Sequence, residues 1–277
     1  MFLCPICRKE LIKCNNALKC TSNHSFDISA SGYVNLLKPG KRNNSKAGDS
    51  KEMVRARSEF FEFGAYEKIA IELCNIIDSF ENKVIIDAGC GEGYYTNIIA
   101  KSHTESTVIG IDMAKFGCEH GAKMANRNNL SNIFYSVGSV FELPVENGFG
   151  DIVISVFAPV ADKEFLRVLK PGGILIVASA GAHHLLGLKK LLYTEVYLNE
   201  EKFPYYEGFE KPIIKNLLYD TKIIGNNTIK NLFTMTPYYF RTSLDDKKKL
   251  DNVSEISTSI EVNFAIYKKQ WLKNDQT

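Results

Sequence analysis

Apolar positions along this chain change period several times, and the changes mark its elements. Five short apolar runs, rich in β-branched residues, read as buried strands: Val84–Asp87, Thr107–Asp112, Ile133–Val137, Asp151–Pro159 and Ile174–Ala178. Between them lie helix-like stretches: Thr96–Lys101, Cys118–Asn128, and Glu164–Leu169, the last stopped by Lys170-Pro171-Gly172-Gly173. Ahead of the first strand, Ile69, Ile71, Leu73, Ile76, Ile77 and Phe80 recur at helical spacing and predict an amphipathic helix over 67–80. Strands and helices alternating at this pitch imply an α/β fold with a parallel, doubly wound, Rossmann-like sheet. Such sheets bind ligands outside the carboxyl ends of their strands, so Asp87, Asp112, Phe157 and Ser179 are expected to line one crevice. Further on, His183-His184 precede a Leu-rich, Lys-bearing helix; the pair is either a ligand edge or a cap. Ile229–Phe233 fits a short helix and Ile256–Tyr267 a strand, which together predict an antiparallel C-terminal edge.

The first 37 residues do not follow this alternation, and their chemistry explains why. Cys4-Pro5-Ile6-Cys7 is a C-x-x-C knuckle, and Cys20 and His24 form a second pair at C-x-x-x-H spacing. Two close pairs of soft or borderline ligands suit a tetrahedral Zn²⁺, and so short a segment has too little apolar surface to fold without such a staple. Cys4, Cys7, Cys20 and His24 are the expected metal ligands, in a closed structural site; Cys14 lies off the knuckle spacing. The stretch from Phe26 to Leu37 is expected to finish the module as a strand or hairpin. From Lys38 to Arg57 the chain turns basic, with Lys38, Lys41, Arg42, Lys46, Lys51, Arg55 and Arg57 opposed by Asp49 and Glu52. This is either a solvated linker or an arm that neutralises phosphates. Within it, Gly48-Asp49-Ser50 predicts the start of a helix running through Met53, Phe60 and Phe61 toward Gly64. Three parts are therefore expected: a zinc module at 1–37, a basic linker and helix at 38–66, and a main domain at 67–277.

Charge and composition exclude little. The net charge of +2 over 277 residues makes no case for nucleic acid by itself, and no apolar run reaches membrane-spanning length. Seven cysteines, an odd count weighted to the N-terminus, suit metal ligation in a reducing, cytoplasmic setting better than a disulfide framework.

The turn after the first main-domain strand narrows the ligand. In Asp87-Ala88-Gly89-Cys90-Gly91-Glu92-Gly93-Tyr94-Tyr95-Thr96 the glycines remove Cβ atoms that would keep a ligand from the backbone, and the helix start offers unpaired N–H groups. The spacing is G-x-G-x-G, unlike the dinucleotide fingerprint, and Glu92 stands where a pyrophosphate would be repelled. A phosphate-free ligand is favoured, with S-adenosylmethionine the candidate, and Asp112 is placed to hold a ribose diol. The third strand end has Ser139 where many methyltransferases carry an adenine-contacting Asp.

Several strings together resemble a known family, the bacterial large-subunit (23S) ribosomal RNA guanine N1-methyltransferases of the RlmA type. They are the two zinc knuckles, Gly32-Tyr33-Val34-Asn35-Leu36-Leu37, Gly48-Asp49-Ser50 with Met53, Ala56 and Arg57, the Asp87–Thr96 turn, Ala158-Pro159, and His184-Leu185. The resemblance covers nearly the whole chain. It implies S-adenosylmethionine as methyl donor, a structural zinc, 23S ribosomal RNA as substrate and a homodimer. It also implies that Tyr66, Tyr95, Thr96 and His184 join Asp87, Gly89, Gly91 and Asp112 around the cofactor. One departure is Val160, where the family pattern has a Cys after Ala-Pro, so a catalytic thiol is not expected there. Asp162 and Glu164 follow the fourth strand, and each is either a proton acceptor or a solvated helix residue. Two rival readings are a small-molecule methyltransferase and a zinc-dependent RNA-binding protein without catalysis.

Overall fold

The computed structural model describes residues 1–38, 49–80 and 83–271. Three short antiparallel strands, β1 (Ile12–Cys14), β2 (Ala17–Lys19) and β3 (Ser25–Asp27), form a small sheet, and β4 (Val34–Asn35) follows. Helices α1 (Lys51–Glu62) and α2 (Glu67–Ile77) lead into the alternating region. Its elements are β5 (Val84–Ala88), α3 (Tyr94–Ser102), β6 (Thr107–Asp112), α4 (Lys115–Arg127), β7 (Ile133–Val137), β8 (Gly150–Val156), α5 (Asp162–Val168) and β9 (Leu169–Ala180). The chain closes with α6 (Leu186–Leu192), β10 (Ile213–Ile224), α7 (Asn226–Thr234), α8 (Tyr238–Arg241), α9 (Leu244–Lys248) and β11 (Glu255–Lys268).

The main sheet runs β10-β11-β9-β8-β5-β6-β7-β4, parallel from β9 to β4, with β11 antiparallel to β9 and β10 antiparallel to β11. The expected doubly wound sheet with an antiparallel edge is present. Ile85 and Ile86 are adjacent in sequence yet sit in different cores, because successive strand side chains leave on opposite faces. One face packs Ile85, Ile152 and Ile176 under α1, α2 and α6; the other packs Ile86, Val153 and Leu175 under Phe165, Phe209 and, from the N-terminal module, Phe2 and Leu11. Among the described residues no helix is long and apolar enough to cross a membrane.

Two features differ from the sequence reading. The stretch from Phe26 does finish the N-terminal module, with Phe26 and Asp27 in β3 and an antiparallel bridge between Ile28 and Val34, but Val34 and Asn35 also pair in parallel with Ser136 and Val137 of β7, joining the main sheet. Strand β10 was not expected, because its apolar residues cluster as Ile213-Ile214, Leu217-Leu218-Tyr219 and Ile223-Ile224 instead of alternating; most of its side chains are exposed or half-buried, and its register with β11 holds it in place. Helix α1 starts as predicted, with Ser50 Oγ accepting from the Met53 N–H at 3.2 Å. Lys41, Arg42, Lys46 and Gly48 lie outside the described residues.

Candidate active site and metal centre

The four predicted metal ligands converge. The ligand atoms of Cys4, Cys7, Cys20 and His24 lie within 4.8 Å of one another. His24 Nδ1 is 3.4 Å from the sulfurs of Cys4 and of Cys20, and the sulfurs of Cys7 and Cys20 are 3.6 Å apart. Those edges match a tetrahedron around a Zn²⁺ with bonds of about 2.0–2.3 Å, so the donor set fits that ion and fills every vertex. Tight turns build the knuckles: Arg8 and Asn23 take positive φ, and the Cys4 and Cys20 carbonyls accept from the N–H groups of Arg8 and Asn23. Cys14 is exposed and outside the cluster. The module is seated on the main domain by a hydrogen bond from the Leu3 N–H to the Pro144 carbonyl at 2.9 Å and by burial of Phe2.

At the carboxyl end of β5 the glycine turn is pressed from two sides. A Cβ on Gly89 would stand 2.5 Å from the Ala158 Cβ, and one on Gly117 of α4 would stand 2.4 Å from the Gly91 carbonyl. Gly89, Gly91 and Gly93 all have positive φ. Asp87 is buried and takes the Thr96 hydroxyl on Oδ2 at 2.6 Å, while its Oδ1 has no partner among the described residues. Burial pushes its carboxyl pKa up to about 7, against the pull of the Thr96 hydrogen bond. The hydroxyl of buried Tyr95 is likewise without a partner. Orphaned buried polar atoms cost stability unless a ligand answers them, so these two point to a polar or cationic group bound here. Asp112 accepts from the Ala114 N–H on Oδ1 at 2.7 Å and from the Gly91 N–H on Oδ2 at 3.0 Å; each oxygen keeps a second lone pair.

Helix α1 covers this turn, which the sequence did not reveal. Arg57 Nη1 sits 2.5 Å from Asp49 and 3.2 Å from Glu92. Glu92 is therefore an internal anchor for the helix, and its expected role of confronting a pyrophosphate does not hold. Arg57, expected as a possible phosphate contact, is spent on this ion pair; Arg55 is the exposed neighbour, 81% accessible and paired only with Glu59 on the next turn. Aromatic rings carry the cover onward. Phe61 stacks on Tyr94 with centroids 4.2 Å apart, Tyr66 meets Phe61 and Phe157, and Phe157 meets His184 at 5.5 Å. Phe157 directly follows β8, with φ +51, and is 44% exposed.

Tyr66 and His184 form a buried pair whose protons can be assigned. The Glu261 backbone N–H points at His184 Nδ1, which must accept, and burial lowers this histidine's pKa to about 4, so the ring is neutral. Its Nε2 then carries the proton and donates to the Tyr66 oxygen 3.0 Å away. The Tyr66 hydroxyl hydrogen is left available to a ligand. Glu164, weighed above as a proton acceptor, is instead held by Arg167 and the Leu143 N–H. Asp162 sits in the first turn of α5.

Residues 2–46 match the family described as the RlmA N-terminal zinc ribbon, and residues 79–235 match a methyltransferase domain. The chain belongs to the RlmA-type methyltransferase family. It is a S-adenosylmethionine-dependent methyltransferase that carries a zinc ribbon, as the sequence led one to expect. RlmA-type relatives match along nearly their whole length. YxjB of Bacillus subtilis (strain 168), provisionally named a 23S rRNA (guanine-N(1)-)-methyltransferase, is 29% identical over 96% of both chains. The 23S rRNA (guanine(748)-N(1))-methyltransferase of Streptomyces fradiae is 25% identical over 93% of both. Among solved structures, Phospholethanolamine N-methyltransferase 2 of Haemonchus contortus aligns with a TM-score of 0.50 at 15% identity, covering 83% of this chain and 60% of that one; it speaks for the fold alone.

Hydrogen bonds and ring contacts link Asp87 to Thr96, Asp112 to Gly91, Tyr66 to His184, and Phe61 to both Tyr66 and Tyr95, around the turn that holds Gly89. Sequence reasoning missed Arg57, Phe61 and Glu261. Each meets its partner across a long stretch of chain, and only the string around Arg57 carried a signal.

Proposed function

We propose that this chain transfers a methyl group from S-adenosylmethionine to N1 of a guanine in a hairpin loop of 23S ribosomal RNA. The observation that carries the reading is the union, in one chain, of an RlmA zinc ribbon with a crevice holding two unanswered buried polar atoms beside an exposed aromatic ring. When bound, S-adenosylmethionine supplies a methyl carbon activated by a sulfonium. Ionised Asp87 would face the ligand's positive charge, with Thr96 fixing its rotamer. Gly89 and Gly91 let the turn pack tightly against Ala158 and Arg57, Asp112 would offer its free lone pairs to the ribose diol, and the Tyr66 and Tyr95 hydroxyls would contribute polar contacts. His184 acts through Tyr66, holding its oxygen. Phe157 would stack on a guanine drawn out of its loop, where unstacking costs less than in a duplex. Alignment of N1 with the methyl accounts for much of the rate, because the sulfonium is already activated.

Cys4, Cys7, Cys20 and His24 hold zinc in this reading, and the ribbon presents the RNA. A ribosomal RNA substrate places the protein in the cytoplasm, and the family resemblance adds a homodimer, which light scattering on the purified protein tests. The deciding experiment treats unmodified ribosomal RNA with protein and labelled donor, then maps the methylated nucleotide. The expected product is a single 1-methylguanosine in a 23S hairpin loop. Methyl transfer to small metabolites but not to RNA overturns the reading, as does RNA binding without donor binding.

A further inference from the structure

Guanine N1 holds its proton at neutral pH, so N1 methylation needs a group to take that proton, and the residues already assigned to the crevice do not supply one. Asp87 and Asp112 keep acceptor capacity but face the methyl donor in the reading above, while Glu92 is bound to Arg57 and Glu164 to Arg167. His184 is neutral, with one nitrogen accepting from the backbone and the other donating to Tyr66.

Its neighbour differs. The His183 side chain is 48% exposed, and its Nδ1 lies 3.0 Å from Oε2 of Glu261, a carboxylate that is 9% exposed on β11. The same Oε2 accepts the His183 backbone N–H, and Oε1 accepts from Asn216 at 3.1 Å. Burial alone would raise the Glu261 pKa, but the hydrogen bonds from His183 and Asn216 more than offset it, and the carboxyl is held below its ordinary value. An ionised Glu261 accepts only, so Nδ1 of His183 carries the ring's proton. Nε2 is then left with its lone pair on the half-exposed side of the ring. A histidine oriented through one nitrogen by a buried carboxylate, with the other nitrogen open, is the arrangement in which imidazole works as a general base.

The place is also right. His183 adjoins His184, whose ring meets both Tyr66 and Phe157, and Ala158, next to Phe157, touches Gly89 of the donor turn. Among the described residues, the charged and titratable groups shown beside His183 are Glu261 on β11, Glu201 against the Ala182 N–H, and His184, whose own neighbours include Lys189 of α6. Lys189 is turned away onto Tyr197 and Asn199.

Resting on the function proposed above, we infer that His183, oriented by Glu261, is the catalytic residue that removes the guanine N1 proton during methyl transfer. The N1 lone pair bonds the methyl carbon, and the carbon–sulfur bond breaks with its electron pair retained by sulfur as a thioether. The N1 proton passes to His183 Nε2 and from there to solvent. Glu261 is a positioning residue: it fixes the tautomer and stabilises the imidazolium that forms.

The test compares wild type, His183→Gln and Glu261→Gln on the same 23S hairpin at saturating donor, in single turnovers across pH 5.5–9. His183→Gln is expected to slow methyl transfer by about 10²–10⁴-fold, with donor and RNA affinities by calorimetry kept within about threefold of wild type. Glu261→Gln removes the acceptor that orients the ring; its transfer rate is expected to fall with donor and RNA affinities unchanged, and Glu261→Asp to recover part of the loss. Nitrogen NMR of the His183 ring in RNA-free protein reads the tautomer without turnover: the proton sits on Nδ1 in wild type and loses that preference in Glu261→Gln. The inference is overturned by a His183→Gln rate within about threefold of wild type, or by a ring tautomer unchanged in Glu261→Gln. Wild-type protein that makes no 1-methylguanosine overturns the proposed function itself; wild-type activity alongside an unaffected His183→Gln overturns this inference alone.

Discussion

At the zinc ribbon, four ligand atoms close on one point and leave no vertex for a substrate, while at the glycine turn Asp87 and Tyr95 keep buried polar atoms that nothing among the described residues answers. Both places remove polar groups from water, and they meet the cost differently. The ribbon's donors satisfy a metal once and for good, which buys shape. The turn's donors and acceptors wait for a ligand that comes and goes, so the ligand-free protein carries the cost. A closed constellation therefore marks structure, and an incomplete one marks chemistry.

That contrast is broken most forcefully by taking the metal away. Structural zinc supplies on the order of 10 kcal/mol of folding energy to modules of this kind. A strong chelator is therefore expected to abolish RNA methylation and to lower the melting temperature, because Phe2 and Leu11 leave the core shared with Leu143 and Val145. Donor affinity should change no more than a few-fold, since the turn lies on a separate strand. Circular dichroism and calorimetry on chelated protein decide; unchanged melting would mean the ribbon folds unaided.

Arg57→Ala comes next. It leaves Glu92 buried and unpaired, which costs about 3–5 kcal/mol where a buried pair loses one partner. Burial already lifts the Glu92 pKa to about 7 even with Arg57 beside it. The loss should therefore be larger at pH 8, where Glu92 is ionised, than at pH 5.5, where it can take up a proton. Denaturant titrations at both pH values check this, and Glu92→Gln added to Arg57→Ala should recover most of the difference.

Asp87→Asn sharpens the contrast by moving two quantities in opposite directions. The ordinary carboxyl pKa of 3.8 is raised to about 7 in the folded, ligand-free protein. The stability this group contributes is complete below the ordinary value and is lost as pH rises through about 7. Removing the charge should thus stabilise the ligand-free protein at pH 8 by about 1–3 kcal/mol and flatten the pH dependence of melting. Donor affinity should fall about 10- to 100-fold. Weaker binding with no gain in stability would mean that Asp87 is not strained by burial.

The smallest effect is expected at Arg55, beside Arg57 in sequence and opposite to it in surroundings. Arg55→Ala should leave the melting temperature essentially unchanged, since an exposed ion pair contributes little. It should reduce the slope of RNA affinity against salt by about one phosphate contact, read from binding isotherms at several salt concentrations.

The periodic parts of this protein were legible before any coordinates. Apolar runs set the five parallel core strands, and two ligand pairs at knuckle spacing set the metal centre, because local spacing alone brings those groups together. Legibility failed where function depends on residues distant in sequence. Arg57 sits in a basic stretch whose average says solvent, yet Asp49 and Glu92 draw it inward. Glu261 lies in an apolar strand, and nothing local ties it to His183. In strand β10 the apolar residues cluster instead of alternating, so its period did not announce a strand, and pairing with β11 sets its conformation.

The two residues of β4 do more than their number suggests. By pairing with Ser136 and Val137, and with the Leu36 N–H donating to the Val137 carbonyl, they occupy hydrogen-bonding groups that β7 would otherwise offer to any passing chain. The same segment keeps Tyr33, Val34 and Leu36 over an apolar flank. The N-terminal portion is thus also a sealant, and a catalytic domain expressed without it should stick to copies of itself before it fails at anything else.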